Sequence, residues 1–369
     1  MPNSTDYSTW VEVDLSAIEN NIRRLIQLSG VQLMAVVKAN AYGHGAVPVA
    51  QAALRAGAAW CGVARLEEAL ELRRAGLDCP ILLLGYTPPD RLDEAVASRV
   101  SLTLWNVDQA QAAAAAGQRV GVPARVHLKV DSGMGRLGVQ AEDVLSLARS
   151  LPPADIQFEG VFTHFARADE ADPAATEAQE WRFAGALEAL QASGRLPPVV
   201  HASNSAAGLT RPKARFTLVR AGIAMYGLHP SAECPLPDGL LPALTWKTVL
   251  SQVKVLPAGR GVSYGHTYVT QGAERIGTAP VGYADGYRRT TGNVALVGGQ
   301  RVPVVGRVCM DQIMLQLDGV RLAQAGDEVL LIGQQAGACL RAEDLAQIWG
   351  TINYEVVCGI GARVPRLYV

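Results

Sequence analysis

The sequence predicts an α/β protein: an N-terminal (β/α)₈ barrel of the TIM type followed by a mainly β C-terminal domain. Three observations carry that reading. Eight short β-type runs alternate with stretches rich in Ala, Leu, Glu, Arg and Gln over the first two-thirds of the 369 residues. Such alternation implies parallel strands joined by crossover helices, and eight strands close a barrel. No G-x-G-x-x-G follows the first run, which weighs against an open doubly wound sheet. Near residue 230 the helical texture gives way to strand-like runs between Gly-rich turns.

In chain order, Thr9–Leu15 is strand-like, precedes the first barrel strand and is assigned to the β domain. The barrel strands are read as Leu33–Val37, Trp60–Val63, Ile81–Leu84, Ser101–Leu104, Arg125–Val130, Glu159–Phe162, Pro198–His201 and Thr217–Arg220. Helices are read at Ala46–Ala56, Leu66–Ala75, Val107–Ala116, Ala141–Arg149 and Pro173–Ala192. The last has Pro at its start and Gly194 just past its end, the expected punctuation. His229 through Pro242 holds four prolines and reads as a linker. Beyond it, Leu244–Leu256, Arg275–Ala284, Val294–Val297, Arg301–Leu317 and Glu328–Ile332 are strand-like, and Ala342–Trp349 is the one clear helix. The expected division is 15–235 for the barrel, and 236–369 with 1–14 for the β domain.

Composition limits the function classes. Hydrophobic residues make up 49% and charged residues 18%, ample material for a core. A net charge of −1 gives no footprint for nucleic acid or an anionic membrane. No run of eighteen apolar residues occurs, and the polar N-terminus lacks a signal-peptide layout. The six cysteines are scattered without metal-ligand spacing, so no metal is expected and a reduced, cytoplasmic setting is.

Lys38 carries the first chemical signal. It follows the apolar run Met34-Ala35-Val36-Val37 and opens the loop Ala39-Asn40-Ala41-Tyr42-Gly43-His44-Gly45. That puts a primary amine at the C-terminal end of a barrel strand, the face where barrel enzymes do chemistry. At the end of the eighth strand, Arg220-Ala221-Gly222 allows close backbone approach, and Asn204-Ser205-Ala206-Ala207 after the seventh can cap a short helix. Loops after strands seven and eight commonly bind phosphate in this fold. An amine, a phosphate cup and an arginine in one mouth suit pyridoxal 5'-phosphate, which needs a Schiff-base amine, anchorage and a residue to tune its ring.

Five motifs in register go further. Val36–Gly45, Asp131–Gly138, Val219–Leu228, Val262–Gly265 and Arg307–Asp311 resemble the alanine racemase family, in the family's order, over nearly the whole chain. The resemblance implies a two-base racemisation of alanine. Lys38 would hold the cofactor and serve as one catalytic base, and Tyr264 as the opposite base. Arg220 would face the pyridine nitrogen. Tyr42, Asn204, Ser205, Tyr354 and the backbones of Gly222 and Ile223 would surround the phosphate, with His164 beside the ring and linked toward Tyr264 and Arg220. Arg136 and the Met310 backbone would position the substrate carboxylate. Lys129 matches a lysine that some members carry as a carbamate, orienting Arg136. Cys309, Asp311 and Tyr283 are supporting residues close to the site. The resemblance also implies a homodimer with shared active sites, Tyr264 coming from the second copy, and a role in supplying D-alanine for peptidoglycan. A broad-specificity or serine racemase of the same family, and a barrel decarboxylase using the same cofactor, are the alternatives. Arg220 argues against the last, which typically pairs the pyridine nitrogen with an acid.

Overall fold

The computed structural model describes residues 6–369. Residues 1–5, part of the N-terminal segment assigned to the β domain, lie outside the described residues. Two compact units emerge, one running from Ser16 to Leu241 and the other gathering the residues up to Leu15 with Pro242–Val369.

The first unit is a barrel. Its strands are Gln32–Val36, Trp60–Val63, Ile81–Leu83, Val100–Leu104, Ala124–Asp131, Ile156–Phe162, Val199–His201 and Leu218–Ala221. They pair in parallel in sequence order, and the eighth returns to the first with Leu218 opposite Gln32 and Ala221 opposite Ala35. Strands seven and eight are joined by two backbone bonds, Thr217 N to Val200 O and Arg220 N to Ser203 O, both 3.1 Å. Closure removes the exposed edges an open sheet would carry. Met34, Trp60, Leu82, Phe162 and Leu218, from five strands, form a dry cluster. Gly62 keeps that layer tight, since a Cβ there would lie 2.9 Å from the Met34 sulfur.

Helix Leu15–Ser29 buries Ile18, Ile22, Leu25 and Ser29, one face at helical spacing. Asn21 shares that face. Its Nδ2 donates to Met225 O (3.1 Å) and Leu241 O (2.8 Å), and its Oδ1 accepts from Leu241 N (2.8 Å). A buried amide satisfied in this way fixes the chain that leaves the barrel.

The second unit is mainly β. In its largest sheet, Thr9–Val13 lies between two strands: antiparallel Leu244–Val249, with Val11 opposite Trp246, and parallel Arg366–Tyr368. Gln252–Leu256, Glu274–Ala279 and Ile313–Gln316 form a separate antiparallel sheet. The run read as one strand over Leu244–Leu256 is therefore two strands in different sheets. The chain turns at Leu250-Ser251, where Leu250 N bonds Asp327 O and Ser251 N bonds Thr278 O, each 2.8 Å. The run read over Arg301–Leu317 is likewise two strands, Gln300–Pro303 and Ile313–Gln316, around a loop over 304–312. The strand read over Arg275–Ala284 stops at Ala279, and Ala342–Trp349 is followed by a second helix, Asn353–Cys358. Gly350, left-handed at φ 64°, separates the two helices. Among the described residues, no helix is long and apolar enough to cross a membrane, and no group of three or more His, Cys, Asp or Glu side chains is placed to hold a metal.

Candidate active site

The barrel mouth begins where strand one ends. Val37 N bonds Gly62 O at 2.9 Å, Lys38 follows, and Ala39, Asn40, Ala41 and Tyr42 then take φ values of 52°, 53°, 52° and 54°. Four consecutive left-handed residues without a glycine are costly, roughly 1–2 kcal/mol each. Surrounding bonds impose the turn. Ala39 N donates to Glu68 Oε1 (2.7 Å), Gly43 N to Ala39 O (3.0 Å), and Ala46 N to Asn40 Oδ1 (2.8 Å). Backbone strain of this kind persists where the fold over-determines it, and it clusters at functional sites. The turn leaves Lys38 half-buried and Tyr42 buried, the Tyr42 ring 5.0 Å from that of Tyr226.

Tyr42, Ser205 and Gly222 meet. A Cβ on Gly222 would stand 2.7 Å from Tyr42 Oη and 3.9 Å from Ser205 Oγ, so a side chain there would fill the cup. Ser205 Oγ accepts from Gly222 N (2.9 Å) and Ala224 N (3.3 Å). Asn204 Oδ1 caps the helix Ser205–Thr210 by accepting from Ala207 N at 3.0 Å. Ile223, buried, opens the tight turn Ile223–Tyr226. Two hydroxyls meeting at a glycine, one of them oriented by two backbone N–H groups so that its own hydrogen is left to donate, suit an anion with several oxygens.

Arg220 lies beneath the cup, 4% exposed. Its Nη1 bonds His201 Nδ1 (2.9 Å), and its Nη2 bonds His164 Nδ1 (3.0 Å), Thr163 O (2.9 Å) and Ala202 O (2.8 Å). Burial, and then the charge on Arg136, pull it down to about 9, so it remains a cation at neutral pH. Burial and the Arg220 charge hold His164 well below its ordinary value, hence neutral. Lys129 Nζ and the Arg220 guanidinium both lie against Phe162, 5.0 and 5.5 Å from its centroid. Burial first, then Arg220 and Arg136, lower Lys129 to about 7. Arg136 itself is exposed, on the loop after strand five. Asp131 opens that loop, its Oδ1 accepting from Gly133 N and Met134 N (2.9 Å each) and Gly135 N (3.1 Å). Burial opposes its ionisation, but those three bonds hold its carboxyl below the usual range. It caps the loop.

In the β unit, Tyr264 is 68% exposed. It stands in a turn where Ser263 (φ 64°), Gly265 (φ 70°) and His266 (φ 44°) are all left-handed. The neighbouring loop is braced against it. Ser263 Oγ donates to Arg307 O (2.6 Å) and contacts Cys309 Sγ (3.4 Å). Tyr283 N and Ala284 N donate to Cys309 O and Met310 O, each at 3.0 Å. A Cβ on Gly282 would lie 2.2 Å from Met310 O, so this approach needs glycine. Asp311 pairs with Arg363 at 2.6 Å, and Arg363 also holds Asp285, which caps Gly282 N. Tyr264, Cys309, Met310 and Asp311 line one open concavity of about 670 Å³. Tyr354, half-buried on helix Asn353–Cys358, is not among the residues lining it.

Lys38, Tyr42, Lys129, His164, Asn204, Ser205, Arg220, Gly222 and Ile223 thus all belong to the barrel unit, and Tyr264, Tyr283, Cys309, Met310, Asp311 and Tyr354 to the β unit. The sequence reading missed His201, the last residue of strand seven and a direct partner of Arg220. Its place at a strand's C-terminal end was the available signal.

A closed barrel whose mouth carries a strand-end amine, a buried guanidinium and an anion cup defines a barrel enzyme built on amine chemistry. The chain belongs to the alanine racemase family, whose members are pyridoxal-phosphate-dependent isomerases. Residues 13–230 match the family's N-terminal domain and residues 243–368 its C-terminal domain. The alanine racemase of Symbiobacterium thermophilum is 50% identical over 364 residues, 98% of this chain and 97% of that one. The solved alanine racemase of a D-cycloserine-producing Streptomyces lavendulae superposes with a TM-score of 0.94 at 41% identity, covering 100% of this chain and 98% of that one. That of Bacillus anthracis, solved with bound L-Ala-P, gives 0.93 at 42% identity, covering 100% and 96%.

Proposed function

We propose that this protein interconverts L- and D-alanine with pyridoxal 5'-phosphate held in the barrel mouth, Lys38 and Tyr264 acting as the two bases. The observation that carries the reading is the cup of Tyr42, Ser205 and Gly222 beside buried Arg220, in the same barrel mouth as the strand-end amine of Lys38. The donor set fits the cofactor. Tyr42 Oη, Ser205 Oγ and the N–H groups around Gly222 and Ile223 suit the phosphate, and the guanidinium of Arg220 suits the ring nitrogen as a donor. When bound, the cofactor takes up the electron pair left on the substrate's α-carbon.

The chain's own groups do the rest. Lys38 Nζ removes or returns the α-proton on one face, and the Tyr264 phenol oxygen does so on the other; two fixed bases spare a single one from swinging around the substrate. A phenol is a weak base unless its anion is stabilised, and nearby cations do that. Arg136 and the Met310 backbone hold the substrate carboxylate. The exposure of Tyr264 in one chain supports a homodimer in which a second copy covers it. A cytoplasmic setting and supply of D-alanine to peptidoglycan follow from this activity. The test is incubation of the purified holoenzyme with L-alanine, and separately L-serine, with chiral chromatography. D-alanine is the expected product; a preparation that binds the cofactor and leaves L-alanine unchanged overturns the reading.

Lys129 gives a pH-dependent expectation. Lowered to about 7, it is largely a free amine just above neutrality, and a free amine adds CO₂ to form a carbamate. At fixed total bicarbonate, a ¹³C carbamate resonance rises as pH passes upward through about 7, where the free amine appears, and then levels off, because carbamate formation releases a proton and rising pH thereby offsets the fall in dissolved CO₂. Lys129→Met removes the resonance. Its presence in that variant, or its absence in the parent protein, rules out carbamylation at this lysine.

A further inference from the structure

Arg220 is the head of a longer buried chain. His201 Nε2 lies 3.0 Å from His127 Nδ1. His127 Nε2 lies 3.5 Å from Glu159 Oε2, close enough for attraction to the carboxylate but outside hydrogen-bond geometry, and has no hydrogen-bond partner among the described residues. Glu159 accepts in turn from Ser101 Oγ at 2.5 Å. These groups come from strands four, five, six, seven and eight. Both histidines are fully buried, and Phe162 stacks flat on His201, centroids 4.6 Å apart at 4°. Gly160 makes the room, since a Cβ there would lie 2.3 Å from His127 Nδ1.

Hydrogen-bond chemistry gives the chain a direction. Guanidinium has donors and no acceptor. His201 Nδ1 therefore accepts from Arg220, and the proton of neutral His201 sits on Nε2. His127 Nδ1 accepts that proton's bond, so His127 is protonated on Nε2, facing the carboxylate. On the other side, His164 Nδ1 accepts from Arg220, leaving His164 Nε2–H as a donor. Burial keeps all three imidazoles below their ordinary values, as neutral rings require. Among the described residues no carboxylate pairs with Arg220; the carboxylate this chain ends on is Glu159.

We propose that Glu159 and His127 are positioning residues for Arg220: two neutral histidines, each protonated on Nε2, hold the guanidinium at one end and are anchored by the Glu159 carboxylate at the other. Through Arg220 the same anchor fixes His164 as an outward donor. On the racemase reading, on which the kinetic arm rests, that donor serves a phenolate at Tyr264. The role is set by direction and charge, which separates it from packing.

The test has two arms. In holoenzyme labelled with ¹⁵N-histidine, long-range ¹H–¹⁵N spectra at pH 7 are expected to show His127, His164 and His201 neutral and protonated on Nε2. A proton on Nδ1 of any of the three, or an imidazolium, overturns the proposal whatever the protein catalyses. In the second arm, Glu159→Gln removes the charge and keeps an acceptor. We expect kcat in both directions to fall about tenfold, the lower range for outer partners that orient a site's charged group, with KM within twofold and a shift of the His201 ring nitrogens. Unchanged kcat and unchanged ring shifts in Glu159→Gln overturn the proposal. A wild-type protein that makes no D-alanine sinks the racemase reading while the spectra still decide the relay.

Discussion

Lys38→Ala is expected to remove racemisation in both directions, lowering kcat by about 10⁴-fold, the upper range for a positioned general base. Loss of the amine also costs the covalent hold on the cofactor, so the yellow colour of the preparation should fade on dialysis. The fold should survive, since Lys38 is half-buried and its turn is held by Glu68, Asn40 and Gly43. Because Tyr264 is assigned to the opposite copy, this variant can be complemented. In a 1:1 mixture with inactive Tyr264→Phe, random exchange makes half the dimers hybrid. Each hybrid holds one intact site of two, so about one quarter of parental activity returns for a twofold dimer. Activity that stays at the level of the separate variants after verified subunit exchange shows that each site draws both bases from one chain.

Tyr264→Phe carries the second large effect. Inversion falls by about 10²–10⁴-fold in both directions, because one face of the α-carbon loses its base. The other base is untouched. One enantiomer of alanine should therefore still trade its α-hydrogen for deuterium in heavy water without inverting, and the other should not. Proton NMR of each enantiomer reads this directly. Deuterium entering both at parental rates shows that a group other than Tyr264 serves that face.

How far the sequence carried this reading depends on how local each signal is. The barrel strands were legible within a few residues because each is a short apolar run between a helix end and a helix start. Lys38, Arg220 and Gly222 were legible because strand ends fix where a side chain emerges. The turn over Ala39–Tyr42 was not, because alanines give no sign of φ near 52°; Glu68, twenty-nine positions away, imposes it. Leu244–Leu256 reads as continuous strand because both halves alternate correctly, and only Asp327 and Thr278 show where the chain leaves one sheet for another. Glu159, His127 and His201 escaped because they meet across the barrel with no spacing in common. Gly160 looked like any strand glycine until the imidazole beside it was located.

The strand Thr9–Val13 has a consequence for biosynthesis. It leaves the ribosome before either neighbour exists. Thr248, whose hydroxyl it bonds, is translated 239 residues after Thr9, and Arg366–Tyr368 later still. The segment Ser16–Leu241 is complete earlier and can close its own ring while the nascent chain is still tethered. This strand, made before the barrel, is thus among the last to find its place, and a stop codon before Arg366 would leave its edge open to strangers.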